Sequence, residues 1–145
     1  MDSLKLMALD ADDLAVVSAH LQDAVFKTGD IAWDARHGIF TITLNRFVWE
    51  KVGEGRKGFQ RRRALIAFKR VRAARSIGID RTDREAVLSL LAIRFTQKDD
   101  GPEGTIELLM SGEASIALDV ECIESQLADT GGAWETGLKP SHPAG

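Results

Sequence analysis

The chain has 145 residues, with 19 lysines and arginines against 22 aspartates and glutamates, so its formal net charge is −3. This length suits one domain, and the 44% hydrophobic content supplies enough apolar side chains for a core. One cysteine excludes an internal disulfide framework. The lack of an apolar run of about 18 residues excludes a membrane-spanning helix. The first residues carry acids where a secretory signal would carry bases, which predicts a cytoplasmic protein.

The first third of the chain is predicted to form a strand, a helix and a hairpin. Alternation over Leu4 to Ala8 is typical of a half-buried strand. Asp10 is a candidate helix cap, and apolar residues spaced three and four apart predict a helix from about Ala11 to Ala24. Alternation then resumes from Ile31 and again over Phe40 to Arg46, which indicates a hairpin.

The rest of the chain is predicted to contain further strands and one closing helix. Residues 51–58 are rich in glycine and charge and predict a mobile loop. The later predicted elements are extended segments over Ala64 to Phe68, a run ending at Ile79, Val87 to Phe95, a hairpin of Ile106–Met110 with Ala114–Val120, and a helix over about Glu121 to Asp129.

The order of these elements predicts the fold class. Successive strands joined by short turns favour antiparallel pairing, because a parallel pair needs a long crossover. We therefore expect an α+β fold with a strongly bent antiparallel sheet of about seven strands, a helix after strand one and a C-terminal helix, in the manner of pleckstrin-homology-like barrels. We expect a single domain over residues 1–138 and a flexible tail over residues 139–145.

Positive charge is concentrated in the middle of the chain. Between Arg46 and Arg81, twelve bases face three acids, which gives this stretch +9 and leaves −12 for the remainder. Aromatic residues interleave with these bases, as on surfaces that bind phosphates and stack nucleobases. The candidate anion-binding residues are Arg61, Arg62, Arg63, Lys69, Arg70, Arg72 and Arg75. Alternatively, these bases are ordinary outward residues of strands, solvated or paired with acids elsewhere in the chain.

The three consecutive arginines carry a structural consequence of their own. Successive side chains of a strand point to opposite faces, so at least one of Arg61 to Arg63 must lie on each face. The triplet can be a fully solvated stripe only if it belongs to a loop.

A glycine motif in the chain matches a nucleotide-binding pattern only in its letters. Gly53 to Gly58 reads GxGxxG, but a strand-like segment follows it where a dinucleotide site needs a helix. A glycine-rich loop between two strands is instead typical of the nucleotide loop of protein kinases, but the sequence lacks the motifs of a kinase catalytic loop and metal site. A flexible loop is therefore the better interpretation.

His20 and Asp23 form a second candidate site. They could be a general base and its orienting carboxylate, in a pocket between the first helix and the sheet. Alternatively, His20 is a half-buried histidine that pairs locally for structural reasons. Cys122 is expected at the start of the last helix, either as a reactive thiol or as a small apolar filler. No histidine has acids or thiols at ligand spacing, so neither a metal nor a cofactor is predicted.

Three stretches of the chain are similar to a known family: LKLMALDADDLAVVSAHLQDAV, RRRALIAFKRVRAARSIGIDRTDREAVLSLLAIRF and ECIESQLADTGGAWETGLKPSHP. Together they resemble an uncharacterised bacterial family, domain of unknown function 2948. The resemblance implies a stand-alone cytoplasmic protein of proteobacterial type. It implies no activity and assigns no site residue.

The leading hypothesis is a non-enzymatic binding or interaction domain. Its basic surface from Arg46 to Arg75 would contact an acidic protein, an anionic ligand or RNA. The competing hypothesis is an enzyme or small-molecule binder with a pocket near His20 and Asp23, although no catalytic motif supports it. A third hypothesis is a homodimer formed through the sheet or the region of Trp134.

Overall fold

The structure is a computed structural model that describes residues 3–48 and 59–136, with side chains described for residues 3–48 and 60–131. The predicted loop with its glycine motif and the predicted tail lie outside the described residues. The elements are β1 (Lys5–Ala8), α1 (Ala11–Leu21), β2 (Ala24–Lys27), β3 (Ile31–Asp34), β4 (Ile39–Phe47), β5 (Phe59–Phe68), β6 (Val71–Ile77), β7 (Val87–Gln97), β8 (Gly104–Met110), β9 (Ser115–Val120) and β10 (Ser125–Thr136).

Helix α1 begins with a reciprocal cap. The Asp10 carboxylate accepts a hydrogen bond of 2.8 Å from the backbone N–H of Asp13, and the Asp13 carboxylate accepts one of 3.2 Å from the N–H of Leu9. The first bond satisfies an amide of the first turn that has no intrahelical partner, which confirms Asp10 as the cap, and the second fixes the residue before it. The apolar face of the helix is buried against the sheet through Leu14, Val17 and Leu21.

The helix ends three residues earlier than the sequence predicts. Asp23 adopts a left-handed backbone conformation with φ 65°, and its N–H donates to the carbonyl of Leu90 at 2.8 Å. This bond directs the chain along β7, so Ala24 starts β2 instead of continuing the helix. Alternating burial along β2 shows that a strand period has replaced the helical one.

The described strands form one antiparallel sheet in the order β1-β10-β5-β4-β2-β7-β8-β9-β6, with β3 paired to β4. A mainly antiparallel sheet with a helix after the first strand is therefore confirmed. The sheet has ten strands, more than the sequence predicts, because β2 and β10 lie where no strand is predicted: at the end of the first predicted helix with the residues after it, and in the predicted C-terminal helix. The predicted hairpins of β3 with β4 and of β8 with β9 are both present.

The predicted C-terminal helix over Glu121 to Asp129 is wrong. Residues 121–124 form a turn, and Ser125 begins β10, which pairs with β1 on one side and β5 on the other. Ile123 and Leu127 are four apart, as in a helix, but Ser125 between them is also buried, which is the period of a strand. Hydrogen bonding on both edges favours the strand. The likeness to pleckstrin-homology-like barrels included that helix and is not confirmed.

The sheet bends around a single core at the junction of β5 and β6. Arg70 has a left-handed backbone with φ 59°, which reverses the chain between the two strands. The N–H of Lys69 donates to the carbonyl of Glu124 at 2.8 Å, and the N–H of Glu121 donates to the carbonyl of Arg70 at 3.0 Å. Buried side chains on both sides of the bend belong to one apolar cluster, which includes Phe68, Val71, Leu118 and Val120.

A close backbone contact connects β6 to the hairpin of β3 and β4. The N–H of Val71 donates to the carbonyl of Gly38 at 3.0 Å. Gly38 has φ +67°, and a Cβ at this position would lie 2.8 Å from the carbonyl oxygen of Val71. Only glycine allows both the conformation and the approach. The start of β6 is therefore fixed against the hairpin turn.

We expect Gly38→Ala to destabilise the fold more than Gly112→Ala. Gly112 has a similar φ of +71° but no atom within 4 Å of its virtual Cβ. Its substitution should cost only the left-handed strain of about 1–2 kcal/mol. Gly38→Ala adds a steric clash worth about 1–3 kcal/mol more. Urea denaturation of both variants measures the difference, and equal losses would show that the contact with Val71 is unimportant.

Candidate functional site

The arginine triplet divides between the two faces of β5, as its spacing predicts. Arg62 is only 4% exposed and points into the core, whereas Arg63 is exposed on the opposite face. Arg61 also faces outward, where its Nη1 donates to the carbonyls of Asp23 and Asn45, each at 3.4 Å. The Arg61 guanidinium lies 5.7 Å from the ring centroid of Phe47, a cation–π distance.

Arg62 belongs to a buried ionic cluster rather than to a binding surface. Arg46 lies directly opposite it on β4, and the two like charges would repel each other without a counter-charge. The Asp129 carboxylate supplies it, accepting from Arg46 Nε at 2.8 Å and Nη2 at 3.0 Å, with Arg62 Nη1 at 3.5 Å. The side chains of Asp129 and Arg46 are 0% and 1% exposed. Two of the twelve predicted surface bases are thus inside the protein.

Asp129 also fixes the first strand. One of its carboxylate oxygens accepts the N–H of Leu4 at 2.7 Å, and its own N–H donates to the carbonyl of Leu4 at 2.9 Å. The residue lies where the register of β10 with β5 shifts, between Asp129 and Ala133. Asp129 falls two residues after the buried Leu127, so ordinary strand alternation points its carboxylate inward just before this shift.

Three further predicted bases pair with acids at the surface. Arg70 lies 3.4 Å from Glu124 and 3.9 Å from Glu121. Arg72 contacts Glu103 at 2.6 Å, and its Nε lies 3.8 Å from Glu121.

Arg75 is the third of these bases, and it forms a two-pronged pair with Asp119, one arm of which spans 3.1 Å. Lys69 is exposed at the bend. Arg70, Arg72 and Arg75 therefore fit the alternative interpretation of the sequence, in which outward-facing bases pair with acids from elsewhere in the chain.

His20 and Asp23 have structural contacts and do not face either described pocket. The Nδ1 of His20 lies 3.0 Å from the carbonyl of Val16, one turn back in the same helix. Asp23 is exposed at the helix end, where its backbone terminates α1. The interior beside the helix is filled by buried apolar side chains. These contacts match the local structural interpretation of the histidine.

Among the described residues, neither the cysteine nor the side chains that commonly ligate metals form a candidate site. Cys122 is half-buried in the turn between β9 and β10, not at a helix start as predicted, so no helix terminus acts on its thiol. Across the described ranges, no group of three or more His, Cys, Asp or Glu residues could hold a metal ion. No helix in those ranges is both long and apolar enough to span a bilayer.

A groove with a volume of about 590 Å³ lies between β3 and β6, and we call it the arginine groove. Its size lies within the usual range for a ligand site. The lining residues are Thr28, Ile31, Trp33, Phe40, Ala74, Arg75, Ser76, Ile79, Arg81, Arg84 and Ile116. All of the charged residues in this lining are arginines. A second depression of about 170 Å³ is smaller and contains both bases and an acid: Lys27, Arg63 and Asp30.

The floor of the groove is apolar and partly aromatic. The rings of Trp33 and Phe40 face each other across the β3–β4 pair, with centroids 6.3 Å apart and a tilt of 48°. Phe40 is buried, whereas Trp33 remains 36% exposed. Ile31 and Ile79 extend this apolar surface, and both pack against the core. An exposed aromatic side chain beside arginines can contact the flat or apolar part of a ligand.

The segment that carries Arg81 and Arg84 is held by its own polar residues. The Asp80 carboxylate accepts the N–H of Thr82 at 3.0 Å and its hydroxyl at 2.6 Å. These hydrogen bonds hold the pKa of Asp80 below its ordinary value, with the bond from the Thr82 hydroxyl as the largest cause. Because Asp80 is occupied in this turn, it does not pair with the neighbouring Arg81.

Backbone contacts dock the same segment onto the start of β3. The N–H of Gly29 donates to the carbonyl of Arg84 at 2.9 Å, and Nη2 of Arg84 donates to the carbonyl of Gly29 at 3.2 Å. The N–H of Thr28 donates to the carbonyl of Ala86 at 2.9 Å. These bonds place Arg84 at the groove although it is more than fifty residues away in sequence.

The three groove arginines differ in how far they are neutralised. Asp119 pairs with Arg75, whereas Arg81 and Arg84 have no carboxylate within 4 Å among the described residues. The hydrogen bond from Arg75 is the main reason that the pKa of Asp119 lies below 3.8, with the Thr105 hydroxyl adding to it against the opposing effect of burial. Asp119 therefore stays ionised at neutral pH. The stabilisation from this pair is present above the ordinary carboxyl pKa and is lost as pH falls through the lowered one.

The sequence predicts Arg75 as an anion-binding residue and places Arg81 in the basic stretch, but it signals neither Arg84 nor the groove itself. The segment from Thr82 to Glu85 is polar and turn-like, and nothing in its sequence indicates that it docks against β3. The contact between Gly29 and Arg84 is a long-range one. Only the alternation of Ile31 and Trp33 signalled a shared face at this site.

Comparison with known proteins identifies a family but no activity. A family described as "Protein of unknown function (DUF2948)" matches residues 4–142. No curated protein matches the chain. No solved structure matches it either. The geometry of the arginine groove is therefore the main indication of function.

We expect Asp129→Asn to lower the free energy of unfolding by about 3–5 kcal/mol, the usual cost of removing one partner from a buried ion pair. The matched control is Glu85→Gln, which removes an exposed carboxylate 2.8 Å from Lys27. That exposed pair should contribute little to stability, because solvent screens it. Chemical denaturation compares the two variants. Similar losses would contradict a central role for Asp129.

Proposed function

We propose a function on the premise that the chain belongs to the DUF2948 family, proteins of unknown function for which no curated relative supplies an activity. In this proposal the chain is a non-enzymatic binding domain for an anionic partner, and the arginine groove is its binding site. The observation that carries this proposal is the lining itself. Among the described residues, the charged side chains of this lining are those of Arg75, Arg81 and Arg84. Cations gathered in a concave surface attract and orient an anion more strongly than scattered ones do.

The state of the individual arginines supports the groove over the wider basic surface. Arg62 is buried on Asp129, while Arg70 and Arg72 are engaged by glutamates. An arginine already paired must exchange its partner before it binds a ligand. Arg81 and Arg84 have no carboxylate within 4 Å among the described residues. The donors of Arg81, and those of Arg84 that do not bond Gly29, can therefore bind carboxylates, sulfonates or phosphates directly.

The chemistry of the lining favours binding over catalysis. Thr28 and Ser76 contribute hydroxyls, but the described part of the lining holds no carboxylate, imidazole or thiol that could activate them. The apolar floor of Ile31, Trp33 and Phe40 adds a contact surface for the uncharged part of a ligand. The proposed ligand therefore combines an anionic group with an apolar or planar body.

We expect the double variant Arg81→Ala and Arg84→Ala to weaken binding of 8-anilinonaphthalene-1-sulfonate by about tenfold, equivalent to about 1.4 kcal/mol. This probe carries a sulfonate on an aromatic body, and titration of its fluorescence gives the dissociation constant. The variant should not alter binding of N-phenyl-1-naphthylamine, which has the same rings without the charge. Screening should weaken sulfonate binding as salt rises.

The matched control for that experiment is Arg94→Ala. Arg94 is an exposed arginine on β7 outside the groove lining, so its loss removes one positive charge without touching the site, against the two that the double variant removes. An effect per lost charge, in binding free energy, equal to that of the double variant would show that only overall charge matters. The groove would then no longer be the supported site.

We expect Asp119→Asn to strengthen binding of the same sulfonate probe by up to about fivefold. Asp119 competes with a ligand for Arg75, and an exposed ion pair of this kind contributes up to about 1 kcal/mol. Losing the carboxylate releases the guanidinium and removes a repelling charge beside the groove. Weaker binding by Asp119→Asn would mean that the carboxylate positions Arg75 for the ligand.

A further inference from the structure

Two strands that border the arginine groove have one hydrogen-bonding edge without a partner strand. β6 is the last strand of the sheet path and pairs with β9, while β3 pairs with β4. Within the described residues, no strand lies on the other edge of either. Unpaired amides and carbonyls along an edge can hydrogen bond to a segment of another chain.

The groove contacts these two strands in different ways. On β3 it is lined by Ile31 and Trp33, which are two residues apart and therefore project from the same face. On β6 it is lined by Ala74, Arg75 and Ser76, which are consecutive. Consecutive side chains of a strand alternate between faces, so a groove that reaches all three must run along the strand edge. A ligand in the groove therefore meets the main chain of β6.

The charge of this edge determines which segment could add to it. Arg75 lies on the edge, and Arg81 and Arg84 lie on the adjoining loop. A second copy of the chain, pairing edge to edge through β6, would bring two copies of this positive cluster together. An acidic segment would instead be attracted, so charge complementarity selects an acidic partner over self-association.

We propose that an extended acidic segment of a partner protein adds as a strand to the outer edge of β6, within the arginine groove. This inference rests on the proposed function and names its partner class. β6 spans Val71–Ile77, and Val71 is engaged by Gly38, which leaves room for a segment of about five or six residues. Main-chain hydrogen bonds would supply affinity, and alternate side chains would supply specificity.

The alternation of a strand fits the two surfaces of the groove. Apolar side chains at every second position of the segment would contact the floor formed by Trp33, Phe40 and Ile79. Acidic side chains between them would reach the arginines. Gly78, with φ +75°, turns the chain away at the end of β6, where a Cβ would lie 3.1 Å from the carbonyl of Glu113. The edge available to the segment is therefore limited at both ends.

The test uses a blocked, fluorescein-labelled heptapeptide that alternates glutamate and valine, with binding followed by fluorescence anisotropy. We expect the peptide to bind, and a peptide that alternates lysine and valine to bind at least tenfold more weakly. The double variant Arg81→Ala and Arg84→Ala should weaken binding of the acidic peptide about tenfold. Arg94→Ala should leave that binding unchanged.

Two N-methylated versions of the acidic peptide test the strand itself. One carries methyl groups on the glutamate amides and the other on the valine amides, with all side chains unchanged. In a strand added to one edge, only one of these sets of amides faces β6. We expect one isomer to lose at least tenfold in affinity while the other binds like the parent. Loss by both isomers, or by neither, would overturn the proposal.

The two proposals can fail separately. If the sulfonate probe depends on Arg81 and Arg84 but the acidic peptide does not bind, the anion site is supported and strand addition is overturned. If neither probe responds to the loss of these arginines, the groove is not the anion site, and both proposals are overturned.

Discussion

The buried carboxylate of Asp129 is the constraint on which much of the sheet depends. Strand β4 brings Arg46 and strand β5 brings Arg62 to adjacent inward positions, where two positive charges would be unfavourable in the core. Asp129, on β10, bonds both arginines and the main chain of Leu4. One side chain therefore joins four segments that are far apart in sequence. The inserted β10, not a closing helix, is what makes this arrangement possible.

The same balance of charge explains why a strongly basic stretch does not give an equally basic surface. Among the described residues of this stretch, several bases meet an acid after folding: Arg46 and Arg62 in the interior, and Arg70, Arg72 and Arg75 at the surface. Arg63 and Lys69 stay exposed without a carboxylate within 4 Å among the described residues, but of the bases that lack such a partner only Arg81 and Arg84 line the groove. The positive charge at the proposed site thus depends on which arginines pair with carboxylates in the folded protein, and not on the density of arginine along the chain.

Sequence patterns predicted those features that depend on neighbouring residues. Asp10 as a helix cap, the alternation of β4 and the splitting of the arginine triplet all follow from spacing alone. The patterns failed where distant contacts decide. Ile123 and Leu127 fit either period, and only pairing with β1 and β5 selects the strand. The groove depends on Gly29 meeting Arg84, for which the local sequence contains no signal.

The backbone contact of Gly38 with Val71 has a consequence for how this architecture could diversify. It anchors one end of the cleft between β3 and β6, so the angle at which these strands diverge sets the width available to any guest. A change at that anchor would alter selectivity without replacing a single residue that touches the guest. If the proposed binding mode is right, one substitution at this contact would change both the stability of the fold and the choice of ligand, at a position remote from the guanidinium groups.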